Sequence, residues 1–359
     1  MKKLIFAALA IAAMAACTKS NVEFGQQNEI VFQPVAQKAT KAAVVGTYYP
    51  IEDAYNFNVW AWWGDKPANT PEAEIASFNT VYINDQTFEN RDYVLWGGLG
   101  KSYYWPTTGS LYFAGYSPAS IQGLPDNSDD CEVSYDRNNK ILTIKNYQQS
   151  SDISETVDLM WFHLTDKSYD RTTPSVPVQF HHALSWLSFR FNLEQPYTPT
   201  DWTVTSVKLT GIETKGNFTA EKNGTSTQQG KAEWKDLTNT VDELLVYDKA
   251  GGYPVAYVTS DYDPLVDDPS VPENTKNGVL VLPQSCAPTD ASLVIEFKQV
   301  APSGDIVPQI KTLNLGGATD AWLPGKHYIY TITFGAEEIL IAPTVVDWDP
   351  VDDLAVPVK

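Results

Sequence analysis

Apolar and polar residues alternate over short runs along nearly the whole chain, and Gly, Pro, Asn or Asp ends each run. A period of two puts successive side chains on opposite faces of an extended backbone, so the pattern predicts strands. The clearest cover Glu29 to Gln33, Phe57 to Trp63, Ser110 to Tyr116, Lys140 to Lys145, Trp202 to Leu209, Ser292 to Lys298 and His327 to Phe334. Long helix-period segments are absent. Ser151 to Asp158 reads as a short helical turn, and Thr238 to Val246 fits either element. With 23 prolines and 21 glycines punctuating short strands, the expected class is all-β, built as β-sandwich domains.

The N-terminus follows a different pattern. Lys2 and Lys3 precede a 13-residue apolar run, Leu4 to Ala16, that ends in small residues before Cys17. A bilayer-spanning helix needs about 20 apolar residues, so the run reads as a secretory signal peptide rather than a membrane anchor. Met14-Ala15-Ala16-Cys17 resembles a bacterial lipobox, in which the cysteine is acylated and becomes the new N-terminus. Residues 1–16 are therefore set aside from the fold, and Cys17 is the expected lipidation site and attachment to the outer membrane.

Composition narrows the functional classes. Acidic residues number 44 against 25 basic ones, a formal charge of -19, which argues against electrostatic capture of nucleic acid or an anionic membrane surface. The length exceeds one ordinary core, so two domains are expected, 42–195 and 196–359, with the boundary near Gln195 in a proline-containing stretch. Cys131 and Cys286 lie far apart in sequence, and only geometry decides whether they pair. His181 and His182 stand in a strand-like run, where one faces the core and the other solvent. Without an H-E-x-x-H, G-x-S-x-G or phosphate-loop motif, they read as structural, and no enzyme activity, metal or cofactor is expected. Acid-rich stretches at Asp126 to Asp130 and Asp261 to Asp268 offer oxygen ligands without the register of an EF-hand, so they read as polar turns. Eleven tryptophans and 19 tyrosines keep one alternative open: a surface lipoprotein that binds glycans by stacking. Trp60 and Trp62 share a strand face and read as core, leaving Trp63 as the better candidate for exposure.

Several local patterns together resemble the fimbrillins, subunits of type V pili. They run from Ile30-Val31-Phe32 and Lys38-Ala39-Thr40-Lys41, through Phe57-Asn58-Val59-Trp60-Ala61, Tyr104-Trp105-Pro106 and Leu111-Tyr112-Phe113-Ala114, to Phe180-His181-His182-Ala183-Leu184-Ser185. Val207-Lys208-Leu209-Thr210-Gly211, Val281-Leu282-Pro283-Gln284 and Leu323-Pro324-Gly325-Lys326-His327-Tyr328 continue the order, ahead of Val346-Asp347-Trp348. The resemblance implies two tandem transthyretin-like β-sandwich domains, export as a lipoprotein, and polymerisation with other pilus subunits at the cell surface, with a host or bacterial surface receptor as a further partner. It also implies that a protease removes the lipidated N-terminal strand and a neighbour's strand fills the groove. On that reading Ile30, Val31 and Phe32 form the displaced strand, with Ile30 and Phe32 on one face and Val31 on the other. Lys38 and Lys41 are the processing positions, and Leu354, Val356 and Val358 form the donated strand. The chain departs from the family pattern in having no arginine before Arg91 and only a short tail after Asp347-Trp348-Asp349-Pro350, interrupted by Pro357.

Overall fold

The computed structural model describes residues 28–35, 49, 55–65, 78–124, 126–127, 130–169, 171–172, 174–194, 202–221, 231–257, 278–286, 291–300, 303–335 and 338–347. These form β1 (Phe32–Val35), β2 (Phe57–Gly64), β3 (Thr80–Asn90), β4 (Trp96–Gly98), β5 (Ser110–Ser117), β6 (Glu132–Asp136), β7 (Ile141–Gln148), β8 (Met160–Lys167), β9 (Val176–Gln179) and β10 (His181–His182). They continue with β11 (Ser185–Leu193), β12 (Trp202–Thr210), β13 (Ile212–Glu221), β14 (Lys231–Val241), β15 (Leu244–Pro254), β16 (Val279–Val281), β17 (Ser292–Val300), β18 (Ile306–Asn314), β19 (Lys326–Phe334) and β20 (Ile339–Asp347). The protein is all-β, as the alternation requires. Ser151 to Asp158 contributes a single 3-10 turn at Ile153–Glu155, and Thr238 to Val246 is the end of β14, a tight connection and the start of β15.

Four sheets carry these strands. The largest has the order β10-β8-β5-β2-β3-β4-β1-β9. Its two end strands, β9 and β10, belong to one run of chain separated only by Phe180, so that run bridges the ends and the sheet rolls up. The rolled interior is a core to which its strands contribute Phe32, Phe57, Val59, Ile83, Phe88, Trp96, Phe113, Phe162 and Val178. The opposite face of β2 and β5 is buried too, because Trp60, Trp62, Tyr112 and Tyr116 pack with Leu142, Ile144, Phe218 and Trp234 of the sheet β14-β13-β7-β6. That double burial explains why Phe57 to Trp63 is apolar almost throughout, where a strand with one wet face would alternate.

The remaining sheets, β16-β11-β19-β20 and β15-β12-β17-β18, enclose a third core that includes Leu187, Phe189, Val204, Leu293, Ile295, Trp322 and Tyr330. β11 runs parallel to β19 along its whole length, Trp186 opposite His327 through Leu193 opposite Phe334. β12 passes into β13 through Gly211, whose φ of +67° only glycine adopts without strain, and β14 returns into β15 beside it. Among the described strands the chain thus crosses between the two layered bodies three times, from β10 to β11, from β12 to β13 and from β14 to β15. Sheets draw strands from both sides of position 195: β11 joins β19, and β6 and β7 join β13 and β14.

Candidate functional site: the slot that holds the N-terminal segment

The first described residues enter the roll as an extended segment, bridged at Glu29, that becomes the inner strand β1 at Phe32, later than the expected start at Glu29. Ile30 N–H donates to the Tyr103 carbonyl at 2.7 Å and Trp105 N–H to the Asn28 carbonyl at 2.8 Å, with Glu29 opposite Tyr104 and Phe32 opposite Trp96. On the other side Val176 N–H donates to the Val31 carbonyl at 2.8 Å, and β9 runs parallel from Phe32 opposite Val176 to Val35 opposite Gln179. The segment therefore separates β4 from β9. Its removal would leave two strand edges with unpaired backbone groups.

Side chains follow the expected alternation. Ile30 and Phe32 are 0 % exposed and Val31 is half-buried. Phe32 lies at the centre of an aromatic cluster, edge-on to Phe57 (5.8 Å between ring centroids), Phe88 (4.9 Å) and Phe113 (5.3 Å). Ser175 Oγ adds a bond of 3.2 Å to Gln33 Oε1. β1 and β9 also carry prolines, Pro34 and Pro177, in adjacent register. Val176 bonds toward β1, so the next residue, Pro177, turns its nitrogen away, to the side of β9 where a missing donor costs nothing.

One ion pair ties the segment down from outside the ladder. Arg91 Nη1 sits 2.8 Å from Glu29 Oε1, with Arg91 partly exposed and Glu29 largely buried. To get there, the arginine crosses β4: a Cβ at Gly97 would lie 2.0 Å from Arg91 Nε and 2.1 Å from its Cζ. Arg91 Nη2 also makes a long contact, 3.4 Å, with the Gly98 carbonyl. In the sequence Arg91 stands out only as the first arginine. The Gly97-Gly98 pair inside a strand was the signal for a close approach.

The other sequence candidates fall as follows. Cys17, Lys38, Lys41, Leu354, Val356 and Val358 lie outside the described residues, as does the boundary stretch at Gln195. His182 is buried with Nδ1 2.6 Å from Asp158 Oδ2, while the half-buried His181 packs on Trp161. Asp126 accepts from Ser151 N–H at 2.8 Å and from its hydroxyl at 3.0 Å, bonds that hold its carboxyl below the usual range and make it a turn cap. Among the described residues no group of three or more His, Cys, Asp or Glu side chains gathers as a metal site. Cys131 and Cys286 are free and buried in different cores. Of the tryptophans considered for stacking, Trp60, Trp62 and Trp96 are buried and Trp63 and Trp105 half-buried, all engaged in packing. A cleft of about 330 Å³ is lined by Asp126, Gln148, Gln149, Ser151, Thr214, Asn239 and Val241. Its polar groups bond largely to one another, Gln148 Nε2 and Asn239 Nδ2 both donating to Thr214 Oγ1.

Fold and slot first define a class: an all-β, multi-sheet sandwich protein that carries its own N-terminal segment as an inner strand. A family model described as fimbrillin-like matches residues 40–348, and the chain belongs to that family. It is a structural protein of the cell-surface fimbrial kind and not an enzyme. Among solved structures it is similar to a candidate cell adhesion protein of Bacteroides uniformis (15% identity, 89% of this chain and 98% of that one, TM-score 0.50). It is also similar to a fimbrial protein of Bacteroides vulgatus (13% identity, 89% and 99%, TM-score 0.49). No curated protein sequence matches significantly.

Proposed function

We propose that the chain is a pilus subunit exported as an outer-membrane lipoprotein through Cys17 and assembled with other subunits by strand exchange. In this reading cleavage at Lys38 or Lys41 frees the segment holding Ile30, Val31 and Phe32. A neighbour's strand then takes the slot between β4 and β9, and this chain donates its own Leu354 to Val358 in turn. The two tandem transthyretin-like domains that the family resemblance implies, 42–195 and 196–359, belong to this reading with strands shared across position 195, β11 completing a sheet of the second and β13 and β14 one of the first.

The observation that carries the reading is the position of Phe32, wholly buried at the centre of a core yet borne on a four-residue strand, the first among the described residues. A segment so placed is held by main-chain pairing and alternate side-chain pockets, the two features a replacement strand can reproduce. The test is limited trypsin digestion of the chain from residue 18 onward, followed by intact mass and size-exclusion analysis. Cleavage at Lys38 or Lys41 with growth of detergent-resistant oligomers is the expected result; a clipped chain that stays a monodisperse monomer overturns the exchange step.

A further inference from the structure

We propose that Arg91, threaded over Gly97 to reach Glu29, is a latch that sets how readily the N-terminal segment leaves its slot. The inference rests on the strand-removal reading above and concerns the regulation of that same site.

Three observations carry it. The pair joins the segment to the turn after β3, so it bridges the part that would leave and the part that would stay. Glu29 is largely buried and its carboxylate accepts from the Arg91 guanidinium at 2.8 Å, a charge-assisted bond stronger than a neutral one. The path exists only because residue 97 has no side chain: any Cβ there would collide with the guanidinium, and with no other heavy atom among its three nearest. Gly97 does not sit at a positive φ, so backbone conformation does not require glycine. The space it leaves is filled by the arginine.

That last point supplies a test that leaves both charges in place. Gly97→Ala displaces the flexible end of Arg91, the source of the three atoms nearest the added Cβ. Alongside it stand Glu29→Gln, Arg91→Ala and the double variant Glu29→Gln/Arg91→Ala, all in the chain from residue 18 onward. The readout is native-state hydrogen exchange at the amides of Ile30 and Val176, whose bonds to Tyr103 and Val31 break when the segment opens. Each single variant should speed exchange there by about threefold to tenfold, as expected for one partly exposed ion pair, and leave the amides of β13 unchanged. The double variant should match the singles, because both remove the same interaction. Unchanged exchange in Gly97→Ala and Glu29→Gln, or effects that add in the double variant, overturn the latch. After clipping at Lys38 or Lys41, dissociation of the segment is then followed by mass. A segment that leaves at one rate in every variant upholds removal and overturns the latch. One that never leaves, although the amides respond, upholds the latch and overturns removal.

Discussion

Replacing Phe32 by alanine tests the inner-strand geometry directly. The ring is wholly buried and meets Phe57, Phe88 and Phe113 edge-on at 4.9 to 5.8 Å. Truncating a buried phenylalanine costs about 3–5 kcal/mol through lost transfer energy and the cavity left behind. Edge-on aromatic pairs contribute about 0.5–1.5 kcal/mol each beyond area burial, and three are lost at once, which places Phe32→Ala near the upper end, about 4–5 kcal/mol. Collapse of the surroundings offers little relief, because the cluster is built on strands pinned on both sides in one ladder. Val31→Ala is the matched control: the same segment, a half-buried aliphatic side chain on the other face, and an expected cost below about 1 kcal/mol. Guanidinium denaturation followed by tryptophan fluorescence measures both, with Trp96 reporting from the same core. If Phe32→Ala costs no more than Val31→Ala, the segment is not an inner strand of the native protein and the slot argument collapses.

Burial pushes the thiols of Cys131 and Cys286 up to about 11 and 12, with Asp130 adding to the first, so neither should react with a disulfide reagent at pH 8 until denaturant is added. Fast labelling of the native chain from residue 18 onward would refute that placement. His327 is stacked on Trp186 and bonded to Ser188 Oγ at 2.8 Å; burial first, then the charge of Arg190, lowers its pKa to about 3. A folded-state value below the unfolded 6.5 means the unfolded chain binds the extra proton. Stability contributed by neutral His327 is therefore complete above pH 6.5 and lost as pH falls toward 3, by about 2–3 kcal/mol at pH 4.5. His327→Gln should flatten that slope in pH-dependent denaturation, and an unchanged slope would count against it. The edge strands β18 and β20 each carry a proline near mid-strand, Pro308 opposite Lys298 and Pro343 opposite Tyr330, while Ile306, Ile310 and Leu340 are exposed beside them. Proline removes a donor from an open edge, so Pro308→Val with Pro343→Val should raise self-association in analytical ultracentrifugation; a variant as monomeric as the parent would refute the guarding role.

How much of this could be read from residues alone follows from the range of each interaction. Alternation is a local property, and it sufficed for the all-β class, for the strands around Phe57, Trp202, Ser292 and His327, and for the face on which Ile30 and Phe32 lie apart from Val31. Burial of both faces of the run at Phe57 is a tertiary result, and Trp63, expected on the exposed side, is half-buried against the core. Pairing is not local. Nothing near Phe32 says that its neighbours are Trp96 and Val176, or that Ser185 to Leu193 lies parallel to Lys326 to Phe334 across more than a hundred residues. Tertiary structure alone brought Arg91 over Gly97 to Glu29, because that contact depends on β4 lying between them at one register. A period of two tells each strand which way to face. Which strands meet is decided by the cores those faces must close together, and that is a property of the whole chain.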